Sequence, residues 1–347
     1  MSRRIAGVLG LLLGLFLAGG LGSVAAAQTA GIAVQIVNGT PGGGAVAGLP
    51  LTVYEIDGKQ QQVVAQNKAD THGAFAWPSL SGAVSARYVV STTYQGVAYR
   101  TDQLALPASS ASLRVYETTQ DDKPIRIANA GVVVLGADAA TQRISVLETV
   151  MLRNSGTRTF LPGTTGPRGP MGLLRFGLPD GAGNLAPDSR LSGATIIQVN
   201  TGFATDLPLP PGDTEVAYSY DLAYGAVEES GYTALNRTMP YAVDLFRVLV
   251  PQGPYTASSP QLTDAGTATV GSHTYRLFQT KNLPPQSEVT MELRDLPLIE
   301  PVLRSSNPWL QLLLGILLIC AVGFPLGYRS WYLRRAARSS SVLESRS

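Results

Sequence analysis

The 347-residue chain is predicted to be all-β: tandem antiparallel β-sandwich modules held outside the cytoplasm by one C-terminal transmembrane helix. Three observations predict this. Between residues 32 and 296 the apolar residues come in short alternating runs divided by Gly, Pro, Asn and Asp, the period-2 signature of half-buried strands. No run in that region keeps a 3.6-residue period over the length of a helix. Trp309 to Tyr328 then gives 20 residues without a formal charge. At about 1.5 Å per residue, a helix of that length spans a hydrocarbon core of about 30 Å.

The two ends set the topology. Arg3 and Arg4, an apolar core from Ile5 to Leu21, and the small residues Ala25-Ala26-Ala27 make residues 1–27 a secretory signal peptide cut ahead of Gln28, with an uncleaved anchor as the alternative. At the other end, residues 305–328 are linker and span. Trp309 on one side and Tyr328, Trp331 and Tyr332 on the other suit the interfacial belts. Arg329, Arg334, Arg335 and Arg338 open a basic tail, 329–347, that belongs in the cytoplasm.

Residues 28–118 read as a first sandwich. Strand segments fall at Ile32–Val37, Leu51–Ile56, Gln62–Gln66, Ala74–Trp77, Arg87–Tyr94, Val97–Arg100 and Leu113–Tyr116. Asp57-Gly58 and Gln95-Gly96 mark tight hairpins, because such turns need positive φ. Asp70-Thr71-His72-Gly73 makes another turn. The expected core is Val34, Ile36, Leu51, Val53, Phe75, Trp77, Val89 and Tyr94, and a fully buried Phe75 would cost about 3–5 kcal/mol on truncation to Ala.

Ala47-Gly48-Leu49-Pro50-Leu51-Thr52-Val53, then Asp70-Thr71-His72-Gly73-Ala74-Phe75, then Tyr88-Val89-Val90 and Tyr94-Gln95-Gly96-Val97 together resemble the carboxypeptidase-regulatory-like domain. The resemblance covers about residues 31–118. It implies a transthyretin-like β-sandwich without catalytic residues of its own. His72 stands where the family more often has an acidic residue or Asn.

Residues 119–304 continue as strands. Ile125–Asn129, Gly131–Leu135 and Arg143–Arg153 come first, with a turn at Asn154-Ser155-Gly156. Leu209-Pro210-Pro211-Gly212 leads into Val216–Leu222, and Leu283-Pro284-Pro285-Gln286 leads into Glu288–Leu296. This repeated phrase points to a second module at 119–224 and a third at 225–304, the alternative being one larger sandwich.

Composition excludes several functions. Between Gln28 and Pro308 there are 19 Lys and Arg against 23 Asp and Glu, which disfavours nucleic acid as a partner. The single cysteine, Cys320, lies inside the predicted span, so the exported part can form neither a disulfide nor a thiolate metal site. Its two histidines, His72 and His273, have no His or Cys at ligand spacing and read as solvated turn residues. Asp121-Asp122 and Glu228-Glu229 read as linker charge, a bridging calcium being the alternative. Neither a nucleophile elbow nor a phosphate-cradling loop occurs. Gly163 to Gly172 has glycine at every third position, too briefly for a triple helix, and reads as a proline-stiffened loop suited to contact. Gly323–Gly327 is a helix-approach motif with Pro325 inside it, and Asn38 and Asn236 head glycosylation sequons.

No catalytic, cofactor-binding or metal-ligating residue is therefore assigned. The expected function is non-catalytic: a single-pass envelope protein, anchored in membrane lipid through Trp309 to Tyr328, that displays sandwich modules to a protein or glycan ligand. The alternative is an accessory subunit of a membrane enzyme or transport complex.

Overall fold

The computed structural model describes residues 30–298, apart from 59, 81–85, 106–110, 164–171, 192, 200 and 228–229. The leader at 1–27, the apolar stretch from Trp309 to Tyr328 with Cys320 and Gly323–Gly327, the basic tail and Glu228-Glu229 lie outside the described residues. What is described is all-β, and no helix in it is long and apolar enough to cross a membrane.

The first unit holds β1 (Ala30–Asn38), β2 (Pro50–Asp57), β3 (Gln60–Lys68), β4 (Ala74–Leu80), β5 (Arg87–Tyr94), β6 (Val97–Arg100), β7 (Leu104–Ala105) and β8 (Ala111–Val115). One sheet has the order β4-β1-β8; the other runs β3-β2-β5-β6, with β7 also on β5. Alternation decides what lies between them. Ile32, Val34 and Ile36 of β1 and Leu113 and Val115 of β8 face Leu51, Val53, Tyr88, Val90 and Tyr94 across one core. Gln95 and Gly96 both have positive φ, which lets two residues join β5 to β6. Gly73 has φ +79, and a Cβ there would come within 2.9 Å of the Ile36 carbonyl oxygen.

Two expected core residues behave differently. Phe75 pairs with Val34 and faces the core, but β4 is an edge strand, so the ring is only half-buried against Trp77, its centroid 4.7 Å away. Val89 is buried at the other surface of its sheet, because it sits one residue out of phase with Tyr88 and Val90 and pairs with Tyr54.

A linker strand, β9 (Thr118–Thr119), leads to the second unit, which begins with β10 (Ile125–Asp138) and β11 (Arg143–Asn154). After β12 (Thr159–Phe160) come β13 (Leu174–Gly177), β14 (Gly183–Pro187), β15 (Ile196–Val199), β16 (Gly202–Thr205) and β17 (Gly212–Ala223). The remainder is β18 (Gly225–Val227), β19 (Ser230–Met239), β20 (Val243–Pro251), β21 (Thr256–Ser258), β22 (Thr263–Val270), β23 (His273–Leu283) and β24 (Ser287–Leu296). A seven-stranded sheet of order β14-β17-β11-β10-β20-β23-β22 packs against a four-stranded sheet, β18-β19-β24-β21, and a three-stranded one, β13-β16-β15. Strands from both sides of residue 225 thus share one sheet, and one core runs from Ile125 to Leu296. The two double-proline phrases lead into β17 and β24, which belong to opposing sheets of this unit.

The sheets are mixed rather than purely antiparallel. β1 runs parallel to β8, and β10 runs parallel to β20. In each case many residues intervene between the partners, and such long crossovers are what parallel pairing requires.

Candidate functional site

The residues singled out in the sequence are scattered. His72 is exposed in the turn before β4, its Nδ1 3.3 Å from Thr71 Oγ1, while its backbone N–H donates to Asp70 Oδ1 at 2.8 Å. The backbone N–H groups of Ala74 and His72 hold the Asp70 carboxyl below its ordinary range, so this motif is a locked turn. His273 is exposed at the start of β23, opposite Val270, in the second unit. Asp121 accepts from the Lys123 N–H at 3.2 Å and the Asp122 carbonyl from the Ile125 N–H at 2.9 Å, making the pair a turn into β10. Among the described residues no group of three or more His, Cys, Asp or Glu could hold a metal. The 163–172 loop is closed at its base by Gly163 N–H donating to Gly172 O at 3.2 Å, and its interior lies outside the described residues. Asn236 is exposed on β19.

Asn38 has a different role. Its Nδ2 donates to Gly44 O at 3.0 Å, Tyr94 OH at 3.3 Å and Glu117 Oε1 at 3.0 Å. Glu117 Oε1 also accepts from Tyr94 OH at 2.6 Å and from the Gly44 N–H at 2.8 Å, and Gln95 Nε2 contacts the other carboxylate oxygen. The Tyr94 hydroxyl, then the Gly44 amide and Asn38, hold the Glu117 carboxyl down at about 2. This carboxylate closes the glycine-rich 39–44 loop onto the end of β8, and the sequon nitrogen is committed to the same task.

Among the described residues, a buried cluster of charge and hydroxyls lies between the sheets of the second unit, at positions that the sequence analysis does not single out. Glu148 of β11 is fully buried; Tyr218 OH donates to its Oε2 at 2.8 Å and Tyr220 OH to its Oε1 at 2.6 Å. Arg237 of β19 enters from the opposing sheet with only 6% of its side chain exposed and pairs with Glu148 through Nη1. Its Nη2 donates to Gly177 O at 2.8 Å and reaches Tyr218 OH at 3.3 Å. The Nη1 contact lies off the hydrogen-bond direction, and Nε has no acceptor. Stacked Phe176 and Phe203 meet the Tyr218 ring edgewise and seal one side. Burial, with Glu148 beside them, pushes both tyrosine hydroxyls well above their ordinary range. Burial alone would lower Arg237, but Glu148 and the two tyrosines outweigh it and leave the guanidinium above its usual value. The cluster ties three sheets together, through Glu148, Arg237 and Gly177. Closed to solvent, it offers no route for a substrate.

Other charges lie outside and pair across strands. Arg153 makes a two-pronged contact to Asp213 at 2.7 and 2.9 Å, Arg126 pairs with Asp244, and Arg276 grips Asp264 at 2.7 and 3.0 Å. Arg126 and Arg153 are directly opposite each other, so the four residues form an acid-base-base-acid row across β17, β11, β10 and β20.

No protein-family model matches this chain, and no curated protein matches it. Among solved structures it is similar to an M1 zinc metallopeptidase from Deinococcus radiodurans, at 11% identity and a TM-score of 0.30, covering 49% of this chain and 42% of that one. A two-domain M1 zinc metallopeptidase bound to L-arginine matches at 11% identity and a TM-score of 0.31, over the same shares. This chain spans less than half the length of those peptidases, and likeness at that level carries no functional argument.

Proposed function

We propose that this chain is a non-catalytic, single-pass protein of the cell envelope that presents two β units outside the cytoplasm to a protein or glycan ligand. In this reading residues 1–27 are a cleaved leader, 31–118 a carboxypeptidase-regulatory-like domain, and 119–298 one further domain. Trp309 to Tyr328 is the membrane span and 329–347 the cytoplasmic tail. The observation that carries it is where the charged groups go. The buried pair Glu148–Arg237 is consumed in tying sheets together, and the exposed pairs Arg126–Asp244, Arg153–Asp213 and Arg276–Asp264 join neighbouring strands, as in an inert scaffold. The 163–172 loop, closed at its base near the junction of the units, is the contact element of choice.

Gentle detergent extraction followed by mass spectrometry tests this reading. Recovery as a lone chain that retains a soluble protein or wall glycan is the expected result. A stoichiometric multi-span partner would favour the alternative, an accessory subunit of a membrane enzyme or transport complex. Turnover by the purified chain in a hydrolase screen, abolished by one Asp→Asn or Glu→Gln change, would refute the non-catalytic claim.

A further inference from the structure

We propose that the two β units form a single rigid arm, locked at their junction by Thr40, Tyr99 and the segment Thr157 to Leu161. Sandwich modules joined by a few residues ordinarily move against each other, because domain interfaces within a chain tend to be small and polar. Here the connection is reinforced in four ways.

The linker strand itself is paired. β9 runs parallel to β12, with Thr118 opposite Thr159 and Thr119 opposite Phe160. The backbone N–H groups of Thr159 and Leu161 donate to Glu117 O and Thr119 O, both at 2.8 Å. A flexible tether would leave these groups to water; this one is a two-stranded sheet.

Side chains then cross from one unit to the other. Thr40 Oγ1, in the loop after β1, donates to Thr157 O at 2.8 Å and accepts from the Glu117 N–H at 3.0 Å. Tyr99 OH, on β6, lies 2.7 Å from Thr159 Oγ1 in a fully buried contact, and it donates to Tyr116 O at 3.1 Å. Buried hydroxyls that lose such partners lose stability, so they resist separation of the units.

The segment they grip is fixed to the second unit. Buried Asn154 donates to Arg158 O at 2.8 Å and to Leu209 O at 2.9 Å, and Phe160 and Leu209 exchange two backbone hydrogen bonds at 2.9 Å. Leu161 meanwhile packs on the core of the first unit, whereas Phe160 belongs to that of the second. Adjacent residues thus insert into two different cores, which leaves no free hinge between them.

The consequence is a fixed spacing and angle between ligand-facing surfaces on the two units. This bears on the display reading, but the rigidity stands without it: the test below needs no ligand, whereas display fails only if ligand capture fails. Pulsed electron paramagnetic resonance on the full chain in detergent measures it. With Cys320 replaced by Ser, spin labels go on Gln61→Cys in the first unit and Asn236→Cys in the second, both exposed strand positions. The expected result is a narrow distance distribution that broadens at least twofold in Thr40→Val/Tyr99→Phe. A broad distribution in the otherwise unaltered chain, or one that stays as narrow in the double variant, would overturn the proposal. Should the double variant fail to fold, the unaltered chain decides the matter by its own distribution width, and Tyr99→Phe alone removes only a hydroxyl.

Discussion

Glu148 and Arg237 sit where desolvation is most costly, and the structure answers with two tyrosine hydroxyls and one backbone carbonyl. Removing either partner leaves the other charge buried, so Glu148→Leu or Arg237→Met should each cost about 3–5 kcal/mol in chemical denaturation. The double variant should cost much less than their sum, because no charge then remains inside. Additive losses would show that the ion pair is not the coupled element. Glu117 makes a pH-dependent contribution of opposite exposure. Its carboxyl is held at about 2, below the ordinary 4.5, so its contribution is fully present above pH 4.5 and is lost as pH falls towards 2. Unfolding midpoints of the unaltered chain should fall through that window more steeply than those of Glu117→Gln. Parallel curves would mean that Glu117 is not the group responsible.

Strand position decides how much a side chain contributes, as β4 shows. Trp77 is 7% exposed, whereas Phe75 on the same edge strand keeps part of its ring in water. Trp77→Ala should cost about 3–5 kcal/mol, and Phe75→Ala less than that range, as read from unfolding midpoints. An equal or larger loss for Phe75 would mean that the edge is covered. The hairpins were legible because a turn needing positive φ restricts residue type sharply, as at Gly58, which follows Asp57 at the end of β2, and at Gln95-Gly96. The sequence of β10 reads as two strands because Asn129-Ala130-Gly131 interrupts the apolar run, while the structure accommodates the interruption with a bulge between Ile127 and Asn129. Parallel pairs left no local trace, since register between distant strands has no turn to mark it. The buried cluster was missed for the same reason: Tyr218 lies 70 residues from Glu148. A signal did exist. Glu148 shares the inward phase of Ile144, Val146, Val150 and Leu152, and Arg237 stands between inward Leu235 and Met239. Opposite charges at inward positions of two strands require each other.

At the scale of the whole molecule, the second unit and the apolar stretch are close in the chain, and this constrains the topology. β24 is an interior strand of the four-stranded sheet and ends at Leu296, with Leu298 still packed on the core. Residues 299–308 alone separate it from Trp309, and fully extended they reach about 35 Å. A span at 309–328 would therefore hold the second unit close to the bilayer and the first unit at the far end of the arm. In the proposed topology the five arginines of the 329–347 tail, against one Glu, would put that end in the cytoplasm. Protease added to right-side-out cells or spheroplasts should remove the β units and spare a tag fused after Ser347. The long paired strands resist cleavage while folded, so the experiment needs a protease active under mild denaturant, with a cytoplasmic marker to report intact membranes. Loss of the C-terminal tag with the marker retained would reverse the orientation. Release of the untreated chain by carbonate extraction would remove the span altogether.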